Sequence, residues 1–214
     1  MKRTIVLIFI MTYLISHSYS QVVKGYGVKG GISIANQQFN YNYTGPEPSS
    51  EKNRIGFTIG AYIELFEFVN FNFQPELLYV QKGMIVESIW TGGIWTGSQS
   101  PTPSEFNNRL DYLSLPLLIK YSIKNSIAIP YLVVGPRIDF MISYNSEESN
   151  REELYEEFNR IDFGGDIGVG IEFGVMDVLL LFELRYSPNF TASFNNEGRT
   201  VKNISGEIFG GLKF

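Results

Sequence analysis

Residues 161–173 alternate strictly between two kinds of side chain. Odd positions hold Ile161, Phe163, Gly165, Ile167, Val169, Ile171 and Phe173, and even positions hold Asp162, Gly164, Asp166, Gly168, Gly170 and Glu172. A period of two marks a strand whose faces meet unlike surroundings. Segment 55–65 repeats the pattern, with Ile55, Phe57, Ile59, Ala61, Ile63 and Leu65 set against Gly56, Thr58, Gly60, Tyr62 and Glu64. Six further stretches follow it less purely: 25–35, 71–82, 110–121, 131–141, 178–187 and 202–214. The spacing predicts eight strands of roughly ten residues, the length a tilted membrane-crossing strand needs.

The connections alternate in length. Short ones fall around 66–70, 122–126 and 174–177, and long ones span 36–54, 84–109, 143–160 and 189–201. That register fits an all-β, antiparallel, up-and-down barrel with tight turns at one end and long loops at the other. Gly45-Pro46-Glu47-Pro48 is rich in turn formers. The acidic stretch 147–157 reads as a solvated loop or a short surface helix.

Alternation alone leaves two barrels open. In a soluble extracytoplasmic carrier the apolar face lines a ligand cavity, whereas in a transmembrane barrel it meets lipid. Three features favour the membrane. Glycine shares the polar face at Gly27, Gly56, Gly60, Gly164, Gly168, Gly170 and Gly211, which weakens a water-facing strand but makes room in a narrow lumen. Both charge signs also lie on that face: Lys29, Lys120, Arg137, Arg185 and Lys213 stand beside Glu64, Glu76, Asp139, Asp162, Asp166, Glu172, Glu183 and Glu207. Buried charges need partners, so these residues are expected to form a structural ion-pair network that plugs the lumen. Finally, aromatics of the apolar face sit near strand ends. Tyr26, Phe71, Phe73, Tyr121, Phe173 and Phe214 fall at the short-turn end, and Phe57, Tyr79, Phe140, Phe163 and Tyr186 at the other, as bilayer interfaces favour.

Composition narrows the function. Lys2 and Arg3 precede the apolar run 5–15, and Ser18-Tyr19-Ser20 follows, so residues 1–20 read as a cleaved secretory signal and 21–214 as one barrel domain. The chain has no cysteine, one histidine and a net charge of −5. It contains no basic run, which leaves nucleic-acid binding without an electrostatic footprint. The histidine, His17, lies in the expected signal, so the mature chain lacks the base that histidine-dependent hydrolases and acyltransferases use. The usual zinc and haem sites lack ligands too. No catalytic, cofactor or metal site is therefore expected. The glycines of 164–170 lie inside an alternating strand with no following helix, which argues against a nucleotide loop. Trp90 and Trp95 make the most unusual loop segment. They read either as an exposed contact for a partner protein or glycan, or as packing over the barrel mouth or a hairpin extension.

Several pieces of sequence carry a family likeness. They are Gly25-Tyr26-Gly27-Val28-Lys29-Gly30-Gly31-Ile32-Ser33, Pro75-Glu76-Leu77-Leu78-Tyr79 with Lys82-Gly83, and Tyr112-Leu113-Ser114-Leu115-Pro116-Leu117-Leu118-Ile119-Lys120-Tyr121. Gly135-Pro136, Glu183-Leu184-Arg185-Tyr186-Ser187 and the terminal Gly211-Leu212-Lys213-Phe214 complete the set. In order and spacing the chain resembles PorT-like outer-membrane β-barrel proteins, best known from Bacteroidota. The resemblance implies an outer-membrane location, contact with outer-membrane lipid, and Phe214 as a sorting signal read by the barrel-insertion machinery. The family has no agreed activity, and its namesake is associated with protein secretion across the outer membrane.

Overall fold

The computed structural model of the chain describes residues 22–41, 50–89, 103–123, 128–146, 158–196 and 199–214. The expected signal, Trp90, Trp95 and 147–157 lie outside these residues. The strands are β1 (Val23–Tyr41), β2 (Ser50–Phe68), β3 (Phe71–Ile89), β4 (Pro103–Ser122), β5 (Ala128–Ser146), β6 (Ile161–Val175), β7 (Val178–Pro188), β8 (Phe194–Asn196) and β9 (Arg199–Lys213). Each neighbouring pair is antiparallel. The ring β1-β2-β3-β4-β5-β6-β7-β9 closes where β9 pairs with β1, from Gly27↔Lys213 to Tyr41↔Arg199. Closure by eight strands leaves no unpaired edge. The three-residue β8 stands outside the ring and pairs with β9 alone.

The orientation of the faces follows the carboxylate parity. Ile167 and Val169 are 58% and 52% exposed, while Asp162, Asp166 and Glu172 are 0%, 4% and 2% exposed. Hydrocarbon therefore covers the outside of the barrel, and the inside holds the charges together with small apolar clusters such as Leu78, Val80 and Phe209. That is the reverse of a soluble carrier, whose exposed face would be the polar one. Aromatic pairs sit at both ends of the apolar band. Tyr26 stacks on Phe214 at 5.8 Å and Phe71 lies 4.8 Å from Tyr121 at the short-turn end, while Phe57 and Tyr79 pair at 5.2 Å nearer the other.

The expected long connections are corrected: much of them is strand. β1 continues through Tyr41, β2 begins at Ser50, β3 reaches Ile89 and β4 starts at Pro103. The ladder between β3 and β4 keeps one register as far as Ile89↔Pro103. Amphipathic alternation records two different environments, and beyond the apolar band polar residues occupy both faces, with Gln37 and Asn108 buried on the inner one and Lys52 and Glu105 exposed on the outer. Hydropathy stops alternating there, although burial and the backbone hydrogen bonds continue. At the opposite end the turns are tight, with residues 69–70 joining β2 to β3 and 176–177 joining β6 to β7. Phe66, Val69 and Met176 take φ of 50°, 59° and 55° there. This left-handed backbone costs a non-glycine residue roughly 1–2 kcal/mol, offset by the pairing it permits.

Two glycines show why small residues share the charged face. A Cβ on Gly27 would lie 2.6 Å from the Tyr62 ring, and one on Gly170 would lie 2.2 Å from Cζ of Tyr131. Each gap on one strand is filled by a tyrosine from the next.

Candidate functional site

The lumen is the most highly organised part of the molecule. At the short-turn end, Lys120 of β4 reaches Glu64 of β2 at 2.6 Å and also pairs with Glu172 of β6. Lys213 of β9 shares both carboxylates, at 2.8 Å and 3.4 Å. The Tyr131 ring lies beneath the Lys120 ammonium, 4.3 Å from its centroid.

Midway along the axis, Lys29 of β1 pairs with Glu76 at 2.7 Å and Glu183 at 3.2 Å. Arg185 of β7 spans the lumen to Glu76 of β3, also pairs with Glu183, and lies 3.2 Å from Asp166. Gln74 donates to Glu76 at 2.6 Å and the Tyr131 hydroxyl to Glu183 at 3.0 Å. Phe209 sits against both cations, 4.5 Å from the Lys29 nitrogen and 5.2 Å from the Arg185 guanidinium carbon. A buried ring face gives such cations a desolvated but attractive neighbour.

One level further, Arg137 pairs with Asp166 and, at 3.0 Å, with Asp139. Asp139 also accepts from Lys82 at 2.7 Å and from Ser114. Between these levels lies a void of ≈ 10 Å³ lined in part by Lys82, Arg137, Asp166, Arg185 and Glu207. That is about the space of a single water.

Two lumen carboxylates differ from the rest. Among the described residues Glu207 accepts only from the Ser187 and Ser205 hydroxyls, both at 2.7 Å. Asp162 Oδ2 accepts from Ser193 at 2.6 Å, Asn189 at 3.0 Å and Tyr112 at 3.4 Å, while Oδ1 has no partner. Among the described residues no lysine or arginine pairs with either one. Asp162 instead ties down the chain after β7. Ser193 and Asn189 bind it, and the backbone nitrogen of Phe190 donates to Phe163 at 2.8 Å. This fold-back delivers Phe194 onto Phe158, with centroids 5.5 Å apart, in an apolar cluster with Leu110, Tyr112, Met141 and Val201. The cluster caps the ion-pair column at the end away from the tight turns.

The structure thus brings together Lys29, Glu64, Glu76, Lys120, Arg137, Asp139, Asp166, Glu172, Glu183, Arg185 and Lys213 as ion pairs. Asp162 and Glu207 join through neutral donors. Lys82 belongs to the column although the sequence reading left it out of the network, and its even-numbered position on the polar face of β3 was the available signal. Tyr62 and Tyr112 fall on the polar face by parity, as expected, although no lumen role attaches to them from sequence; Tyr131 and Phe209 share that parity, yet their residue type reads as core. Phe214 closes the ring, exchanging backbone hydrogen bonds with Tyr26 at 3.2 Å and 2.8 Å. Among the described residues no group of three or more metal-ligating side chains is arranged to hold an ion.

Residues 20–195 match the family described as "Outer membrane protein beta-barrel domain". Among solved structures, the outer membrane protein OprG from Pseudomonas aeruginosa is similar at 12% identity and a TM-score of 0.55, over 89% of this chain and 95% of that one. Neisserial surface protein A is similar at 14% identity and a TM-score of 0.46, over 89% and 97% of the two chains. At 12% identity the likeness to OprG is one of fold. A search of curated proteins finds no match.

Proposed function

The chain belongs to the outer membrane protein beta-barrel domain family, and from that premise we propose a non-enzymatic integral barrel that works through its outward hairpins, by binding a partner or by supporting an envelope assembly. The observation that carries this reading is the ion-pair column. Arg185 and Glu76 meet across the axis, and the void beside them has room for about one water. Such a body is a rigid stave and not a conduit. The working surface is then left to the parts that project past the apolar band, where β1 to β5 each run 19 or 20 residues.

In this reading Trp90 and Trp95, in the connection between β3 and β4, offer the contact for an envelope protein or glycan. The secretion-associated role implied by the PorT-like resemblance is one form such an assembly takes. Export proceeds by removal of residues 1–20, and Phe214 is the signal the insertion machinery reads.

The deciding experiment joins fractionation to conductance. The protein is expected in the outer-membrane fraction, with altered migration on unheated gels, an N-terminus at Gln21, and no large open steps in planar bilayers. Recovery from the soluble periplasm, or a sustained ohmic pore, would overturn the proposal.

A further inference from the structure

We propose that Arg54 and Arg109 form a binding site for the phosphate of an outer-leaflet lipid, on the outside of the barrel just above its apolar band. The inference rests on the outer-membrane location and not on what the hairpins bind.

The site begins with a register shift. Asn53 pairs with Met84 and Thr58 with Val80, so β2 carries one residue more than β3 between those points. Opposite this bulge stands Gly83, with φ of 120°. A bulge re-aims side chains, and here it sends the Arg54 guanidinium past β3. Its Nε donates to Asn107 of β4 at 2.9 Å and its Nη1 to the Lys82 carbonyl at 3.4 Å. Arg54 is only 8% exposed, yet among the described residues no carboxylate pairs with it. A buried guanidinium without an anion is costly to maintain.

The surroundings fix which face this is. Asn107, Arg109 and Asp111 share strand parity with Leu113 and Leu115 on the outer face of β4, opposite the inward Tyr112 and Ser114. Gln81, beside the bulge, donates to the outward Tyr79 hydroxyl at 3.1 Å. Directly below, Tyr79 and Phe57 pair at 5.2 Å at the top of the apolar band. The patch therefore stands at the height of lipid headgroups and faces away from the lumen.

Its charge is incomplete. Asp111 stands beside Arg109, and Arg54 lies near enough to feel its charge without pairing with it. Arg109 Nε lies 3.3 Å from Asp111 Oδ1, but the geometry makes no hydrogen bond, and among the described residues neither buried atom has a hydrogen-bond partner. The nearby Lys52 is already committed to Glu87 and Glu105. What the site lacks is an anion with several acceptor oxygens, and guanidinium groups suit phosphate in that role. A lipid phosphate fits better than a free one because its acyl chains would lie down the adjoining band, over Phe57, Tyr79 and Leu113.

Native mass spectrometry of the full chain in mild detergent tests this, with lipid A, enzymatically dephosphorylated lipid A and inorganic phosphate as probes. Wild type is expected to retain lipid A. Arg54→Gln and Arg109→Gln should each weaken retention about tenfold, the loss of charge-assisted hydrogen bonds. Asp111→Asn should strengthen it, and Lys52→Gln should leave it unchanged. Dephosphorylated lipid should bind poorly, and inorganic phosphate should not compete. Equal retention of the two lipid forms, equal retention by the arginine variants, weakening by Asp111→Asn, or competition by free phosphate would each refute the assignment. Heat-modifiability of every variant reports folding, and Asp111→Asn keeps the test decisive should Arg54→Gln fail to fold.

Discussion

Arg185 and Glu76, 109 residues apart in sequence, form a two-point ion pair across the barrel, with Nη1 2.8 Å from Oε2 and Nη2 3.0 Å from Oε1. Glu76 is also the partner of Lys29, so one carboxylate on β3 holds cations from β1 and β7. Removing it leaves two buried cations short of charge. Glu76→Leu is expected to cost about 3–5 kcal/mol, the usual penalty for breaking a buried pair from one side. The double variant with Arg185→Met should cost less than the sum of the singles. Urea unfolding in lipid vesicles measures both, and strict additivity would contradict a direct pair.

Glu207 provides the contrast. Its donors among the described residues are Ser187 and Ser205, and an amide keeps one acceptor while offering its NH2 to a hydroxyl. Glu207→Gln should therefore change stability by no more than about 1 kcal/mol, within the range of a neutral hydrogen bond. A loss as large as that of Glu76→Leu would mean that a cation depends on Glu207.

Gly170 and Tyr131 are matched as gap and filler. A methyl at residue 170 would meet the ring at 2.2 Å, and the ring cannot swing aside without releasing its bond to Glu183. Gly170→Ala is expected to destabilise by about 1–3 kcal/mol as overpacking. Adding Tyr131→Leu should recover part of the loss in the same unfolding assay. Independent effects at the two positions would argue against direct contact.

Beyond the apolar band, Lys52 bridges Glu87 and Glu105 on the exposed hairpins. Hydrogen bonds first to Glu87 and then to Glu105 hold Lys52 above its ordinary 10.5, and Lys52 holds Glu105 below its ordinary 4.5. The depressed carboxylate contributes stability above its unfolded value, lost as pH falls through the folded one. The raised lysine contributes below its unfolded value, lost as pH rises through the folded one. In an NMR titration Glu105 should show a midpoint below 4.5 that returns towards it in Lys52→Gln and at high salt, since exposed pairs are screened. A midpoint indifferent to Lys52 would refute the bridge.

Much of this was legible in the sequence because a membrane barrel places each strand between two media that could hardly differ more. The side chain has a period of two, so every residue from Ile161 to Phe173 could be assigned a face before any strand was paired. The lumen ions followed from parity. Parity puts Lys82, Tyr62 and Tyr112 on the same face as those ions, but that Lys82 pairs with Asp139 depends on strand register and is not legible from parity alone.

Sequence by itself determined which side chains share a face, since a period of two sorts hydrocarbon from charge, and the burial of Asp162, Asp166 and Glu172 beside exposed Ile167 and Val169 set which face turns to the axis. Tertiary structure alone decided who pairs with whom. The partners lie on different strands, as Lys29 does from Glu183 and Arg185 from Glu76, and the register between strands sets their distances. It also decided where strands end beyond the apolar band, because ladder hydrogen bonds leave no periodic trace in hydropathy once polar residues stand on both faces, as buried Asn108 and exposed Glu105 do on β4. The outward turn of Arg54 belongs to the same class. A single extra residue in β2 opposite Gly83 redirects it, and backbone geometry of that kind is not written in hydropathy.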